Sequence, residues 1–290
     1  MHNMGENMNG KKNVKKRNRF LICCGAFLII IVLLIIVTVT GAPHQQSSPE
    51  PVIPQHLPET STESTQQPSE GETQAAAPTA AQTSHMIQGV PTIQQSGLRA
   101  GCETYACTML LQSLGYDMDE FMFADNYLIT SLTSWGDDGT HYGPDMHSAM
   151  AGTAYAGFGI YAPAMAKSMN KYLSAVGSSQ KAYPLEGVSL EDLCHEYIDN
   201  DIPVMVWATT WMEEPYPAAS WVVDYVDENA KAEIGDTVSW MEHEHCLVLI
   251  GYDDKDYYFA DSYKGAVSQF EKELSQQRYE EIGSMAIVVK

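Results

Sequence analysis

The residue with the most chemical promise is Cys102. It follows Gly101 and opens the apolar-periodic stretch CETYACTMLLQSLG at 102–115. A thiol at a helix N-terminus faces free backbone N–H groups and the positive end of the helix dipole, which stabilise a thiolate. The preceding glycine permits close backbone approach. Cysteine also serves as a small buried hydrophobe in many cores, so the thiol alone decides nothing. A thiol nucleophile needs a base, and the base needs a group to orient it. The downstream histidines are His141, His147, His195, His243 and His245. His245 opens the strand-like HCLVLIGY, and YYFAD returns after the polar turn DDKD at 253–256. A symmetric hairpin centred on residue 253 sets His245 opposite Asp261. Opposed residues on antiparallel strands have Cβ atoms about 4.5–5.5 Å apart, the spacing that an imidazole–carboxylate pair needs. A slip of one residue would put the two on opposite faces.

Competing chemistry is weaker. Cys107 lies five residues along the same helix, about 140° around it, and cannot share the site. Cys194 and Cys246 fall in a helix and a strand as core positions, and a disulfide among the four cysteines after residue 100 stays open. His243 and His245 alternate on one strand and offer two zinc ligands, but nothing selects a third. The DDKD run lacks the glycine and distal glutamate of a calcium loop. The tryptophans 135, 207, 211, 221 and 240 read mostly as core, with Trp211 and Trp221 flanking a Pro-rich loop that borders a cleft.

These residues need a scaffold. Asp117 with Glu120 is a capping-box variant that opens a second helix. Pro163 begins a third, APAMAKSMNKYLSAVG, closed by Gly177, and Ser189 with Asp192 opens a fourth, LEDLCHEYIDN. Strands then dominate: IPVMVWATT at 202–210, the hairpin already described, and a final SMAIVV after the helix FEKELSQQRYEEIG. Helices first and strands later is an α+β order.

The chain has 290 residues and a net charge of −21, and it divides into four segments. Residues 1–19 carry six Lys/Arg against Glu6. Residues 20–40, FLICCGAFLIIIVLLIIVTVT, hold no charge and are long enough to span a bilayer. The basic block before them keeps the N-terminus cytoplasmic and sends the rest outside. A cleaved signal, giving a secreted product, is the competing reading, although its apolar region is normally about 7–15 residues. Residues 41–85 are rich in Pro, Ser, Thr, Gln and Glu, and read as a disordered stalk of about 35–40 Å mean span. Residues 86–290 form one domain with ten basic and 31 acidic residues. A body this acidic repels phosphate backbones, which excludes nucleic acid, and no Gly-rich phosphate loop points to a nucleotide.

The motifs together resemble one family. VPTIQQSGLRAGCETYACTMLLQSLGY, PVMVWATTWM at 203–212, EHCLVLIGYDD at 244–254 and YYFADSYKG at 257–265 resemble papain-like cysteine peptidases of the bacteriocin-processing, double-glycine-leader type. The stand-alone exported branch is the nearer likeness, and it spans about residues 88–290. The resemblance implies a papain-like α+β fold, with a nucleophile helix first and an antiparallel sheet after it. It implies Cys102 as nucleophile, His245 as general base and acid, and Asp261 as the group orienting the imidazole. It implies Gln95 as an oxyanion-hole donor with the Cys102 backbone N–H; the VPxIxQ spacing selects Gln95 over Gln94. Asp261–Ser262 stands where the family often has Asp-Pro. The substrate is then a peptide or protein, with no cofactor and no metal. Other readings remain: a catalytically silent cleft on a stalk, a transpeptidase or cell-wall amidase, and a metal hydrolase on His243 and His245.

Overall fold

The computed structural model describes residues 83–290. The basic segment, the apolar segment 20–40 and nearly all of the stalk lie outside the described residues. Among the described residues no helix is long and apolar enough to cross a membrane.

Among the described residues there are five α-helices: α1 (Cys102–Ser113), α2 (Glu120–Asn126), α3 (Ala162–Ala175), α4 (Leu190–Glu196) and α5 (Lys272–Ile282). Their ends follow local chemistry. Ser189 accepts a hydrogen bond from the Asp192 N–H at 3.0 Å and caps α4. Gly283, at φ 114°, ends α5 in the left-handed region. The cap of α2 is Asp119, whose Oδ1 accepts the Met122 N–H at 2.9 Å, rather than the expected Asp117. Either aspartate offers the side-chain oxygen; Asp119 directly precedes Glu120, the first helical residue, whereas Asp117 lies two residues further out.

The main sheet runs in the order β13–β12–β11–β8–β14–β7, all antiparallel, through Ala266–Glu271, Asp256–Asp261, Glu244–Tyr252, Val204–Thr209, Met285–Val289 and Ala182–Glu186. The short β1 (His85–Met86) pairs with β11 at Tyr252 and Gly251, beyond the end of the β8 pairing. All nine residues of β11 and all six of β8 are buried, so these strands read as continuous apolar runs. Cys246, Val248 and Ile250 face a core built with α1 and α3, while Leu247 and Leu249 face another built with α4 and α5. Each fully buried Leu or Val contributes about 1.5–3 kcal/mol. The central position of α1 explains why nine successive residues, Glu103–Leu111, are buried.

The helices-first expectation is corrected by short strands between α2 and α3: β2 (Thr130–Ser131), β3 (Ser134–Trp135), β4 (His141–Pro144), β5 (Met150–Thr153) and β6 (Ala156–Gly157). Two to four residues each, they are too short to show alternation in sequence. They form a three-stranded sheet β2–β5–β6, and a four-stranded one in which β3 and β4 join β9 (Tyr216–Tyr225) and β10 (Thr237–Glu242). Trp221 is buried there and donates to the Pro144 carbonyl at 2.8 Å. Trp135, read as core, is 72% exposed and stacks on His141 at 4.4 Å.

Candidate active site

Cys102 is the first residue of α1 and is half-buried. No side chain caps this helix. Gly101 has an ordinary φ of −118°; its glycine is needed for space, since a Cβ would lie 2.5 Å from that of Leu98. Cys107, Cys194 and Cys246 are buried free thiols, so the structure contains no disulfide among the four described cysteines.

His245 and Asp261 are joined by a 2.9 Å hydrogen bond from Nε2 to Oδ1, and both are almost fully buried. The register that joins them differs from the symmetric hairpin. Val248 pairs with Ala260, and a bulge shifts the pairing between Leu249 and Gly251. Continued outward, this register puts Leu247 opposite Asp261, so His245 is a diagonal neighbour. A displacement of two residues preserves the face, and diagonal neighbours lie within reach of long side chains.

Asp261 is a well-supplied acceptor. Its Oδ1 also receives the Tyr263 N–H at 2.9 Å, and its Oδ2 receives the Ser268 hydroxyl at 2.7 Å. Burial pushes its carboxyl upward, but His245, Ser268 and the Tyr263 N–H outweigh that and hold it below the ordinary 3.8. With Nε2 committed to Asp261, His245 has Nδ1 free for proton transfer.

Gln95 is stitched to the same strand end. Its N–H donates to the Ser262 carbonyl at 2.7 Å, and its Oε1 accepts from the Ser262 hydroxyl at 3.3 Å. Its side-chain amide donates to the Leu98 carbonyl at 2.9 Å, which leaves one amide N–H. Gln94 is exposed and packs against Gly265.

The thiol of Cys102 does not hydrogen-bond His245. It donates to Glu103 Oε2 at 3.2 Å. Burial, then the charges of Glu103 and Glu244, push this thiol well up, opposed by the backbone N–H of Cys246. That N–H belongs to the residue after His245, so the sulfur lies against the start of β11. Glu103 and Glu244 are the site residues that sequence reading missed. An acid directly after Cys102 inside an apolar helix, and another directly before His245 on an apolar strand, were the available signals.

His243 does not join His245. It has a left-handed φ of 71°, between β10 and β11, and its Nε2 meets Glu213 at 3.3 Å. That turn breaks the alternation on which a shared strand face depended. Among the described residues, one donor group is close enough to hold a metal ion. It is Cys102, Glu103 and Glu244, and it includes neither histidine.

The sequence carries the mark of the Peptidase_C39 like family across residues 87–287. The chain belongs to that family. Membership implies cysteine peptidase chemistry on a peptide or protein substrate. The chain is similar to the crystal structure of a protein from Bacillus anthracis assigned as a C39-like peptidase. The two are 26% identical with a TM-score of 0.58, over 71% of this chain and 97% of that one. It also aligns with the peptidase domain of Streptococcus ComA, a bifunctional ABC transporter of a quorum-sensing pathway. There the identity is 11% and the TM-score 0.38, over 69% of this chain and 98% of that one. No curated protein matches the chain.

Proposed function

We propose that this C39-like protein is a membrane-anchored, extracytoplasmic cysteine peptidase that hydrolyses a peptide or isopeptide bond through an acyl-enzyme. The observation that carries the reading is the buried His245–Asp261 pair, 2.9 Å between Nε2 and Oδ1, at the strand end against which the Cys102 thiol lies. Asp261 fixes the imidazole with Nε2–H outward to the carboxylate, so Nδ1 takes the thiol proton. The sulfur attacks the carbonyl carbon, and its electrons move onto the oxygen. The free amide N–H of Gln95 and the Cys102 backbone N–H stabilise that oxyanion, an effect worth about 3–4 kcal/mol in comparable sites. His245 then protonates the leaving amine, and water releases the acyl group. Residues 20–40 serve as the anchor, residues 41–85 as the stalk, and residues 86–290 as the exported domain. Capture of the acyl group by an amine instead of water gives the transpeptidase alternative. The thiol's bond to Glu103 favours a second reading, a silent cleft displayed on a stalk.

The test is selective labelling. The full-length chain is treated with iodoacetamide at pH 7.5, digested and mapped by mass spectrometry. Labelling at Cys102 ahead of Cys107, Cys194 and Cys246, slowed at least tenfold by His245→Ala, is expected. Equal, slow labelling at all four cysteines, unaffected by the histidine change, supports the silent cleft.

A further inference from the structure

Two buried acids beside the thiol have no part in the mechanism above. Glu103 is 1% exposed and Glu244 is 7% exposed. One ligand atom from each of them and the Cys102 sulfur lie within 4.8 Å of one another. Glu103 divides its two oxygens. Oε1 accepts the Ile160 backbone N–H at 2.9 Å, and Oε2 accepts the Cys102 thiol at 3.2 Å. Glu244 has far less support. Its Oε1 is buried without a hydrogen-bond partner.

From this geometry we infer that Glu103, backed by Glu244, is the resting partner of the Cys102 thiol and withholds the nucleophile from His245 until the side chain turns away. The inference deepens the peptidase reading and rests on it. Two carboxyls this close in a buried site do not both ionise; they share a proton. The proton belongs on Glu244, whose Oε1 has no partner and whose one neighbouring donor is the Trp240 indole, and the charge on Glu103, which has two donors. An anionic acceptor beside a thiol keeps the proton on sulfur. Release moves that proton from Cys102 Sγ to His245 Nδ1, and the charge of the acid pair does not change. Glu103 is therefore in direct contact with the reacting sulfur, and Glu244 is a positioning residue that acts through it.

The groups facing this centre come from several elements. Glu103 on α1 faces the thiol, and from β11 come Glu244, Cys246 and, toward Glu103, His245. Tyr161, just before α3, feels Glu244, Glu103 and Asp145. Trp240 of β10 lies against Glu244, and Cys107 faces Cys246. Burial pushes Glu103 up, opposed by the Ile160 N–H, the thiol and His245; burial and then Glu103 push Glu244 up further. These shifts agree with the placement of the proton that hydrogen bonding gives.

The experiment follows the rate of iodoacetamide labelling at Cys102 against pH in the full-length chain. Glu103→Gln keeps an oxygen for the Ile160 N–H and turns an amide N–H toward the sulfur. It should label about tenfold faster at pH 6–7, with its acid limb about one unit lower. Glu103→Leu, which removes the charge without adding a donor, should shift the same way. A second reading uses thiolate absorbance, wild type minus Cys102→Ser. Thiolate should appear only above the ordinary thiol value of about 8.5. Slower labelling or an unmoved limb in Glu103→Gln overturns the inference, as does a Cys102 thiolate at pH 6. His245→Ala separates the two failures. If it leaves Cys102 labelling unchanged, the peptidase reading has failed. If it slows labelling while Glu103→Gln shifts nothing, only the role of Glu103 has.

Discussion

Replacing Glu244 with Gln should make the protein's stability less sensitive to pH, by an amount that the buried acid pair sets. Burial and then the Glu103 charge raise the folded Glu244 carboxyl well above its ordinary 4.5. An acid whose folded value is raised binds a proton in the native state that the unfolded chain has released. Stability is then full below about pH 4.5 and falls by about 1.4 kcal/mol per pH unit until the folded value is passed. Glutamine has no proton to lose, so the variant lacks this slope. From pH 5 to pH 6.5 the variant should gain on the wild type, up to the limit of about 2 kcal/mol that one proton sets over that interval. A fixed offset of about 1–3 kcal/mol against the variant is expected from an amide that finds no partner. The offset does not change with pH, so the slope is diagnostic. The assay is urea unfolding of the full-length chain at several pH values, followed by tryptophan fluorescence. Trp207 and Trp221 are buried and report loss of the domain directly. A difference that stays constant from pH 5 to 6.5 would refute the reasoning, because Glu244 would then titrate alike in both states.

Two further outcomes follow from single contacts. Asp261→Ala removes the acceptor of His245, Tyr263 N–H and Ser268, and should lower peptide turnover at least about a hundredfold. Because Asp261 titrates below 3.8 in the fold, its stabilising share is full above 3.8 and lost as pH falls through the folded value. Urea midpoints of this variant and wild type should therefore converge at acid pH. Ser189→Ala removes the cap on α4 and should cost about 1 kcal/mol in urea unfolding, with α4 opening first in hydrogen exchange.

The parts of the fold that sequence reading reached have strong local signals. Helix α1 announces itself by apolar spacing, α4 by its Ser189 cap, and β8 and β11 by continuous apolar runs. The short strands β2 to β6 carry no such signal, because their pairing comes from tertiary contacts rather than alternation. Asp117 and Asp119 compete as caps two residues apart, and only the helix start decides between them. The hairpin argument put His245 and Asp261 on one face, and they are hydrogen-bonded, but through a bulged register with the residues diagonal. Bulges depend on packing at both ends of a strand, which spacing alone does not encode. The acids of the site were harder to see. Glu103 and Glu244 look like surface residues by type, and only the position of α1 against β11 buries them beside the thiol.

The central claim is that Cys102 and His245 together cleave peptide bonds. The most direct test incubates the full-length chain with a proteome-derived peptide library and identifies new N-termini by mass spectrometry. Wild type, Cys102→Ala and His245→Ala are run in parallel, each checked for its fold by circular dichroism. Cleavage by the wild type at recurring sites, absent from both variants, is the predicted result. Cleavage that persists in Cys102→Ala, or no variant-sensitive cleavage by a folded wild type, would contradict the account.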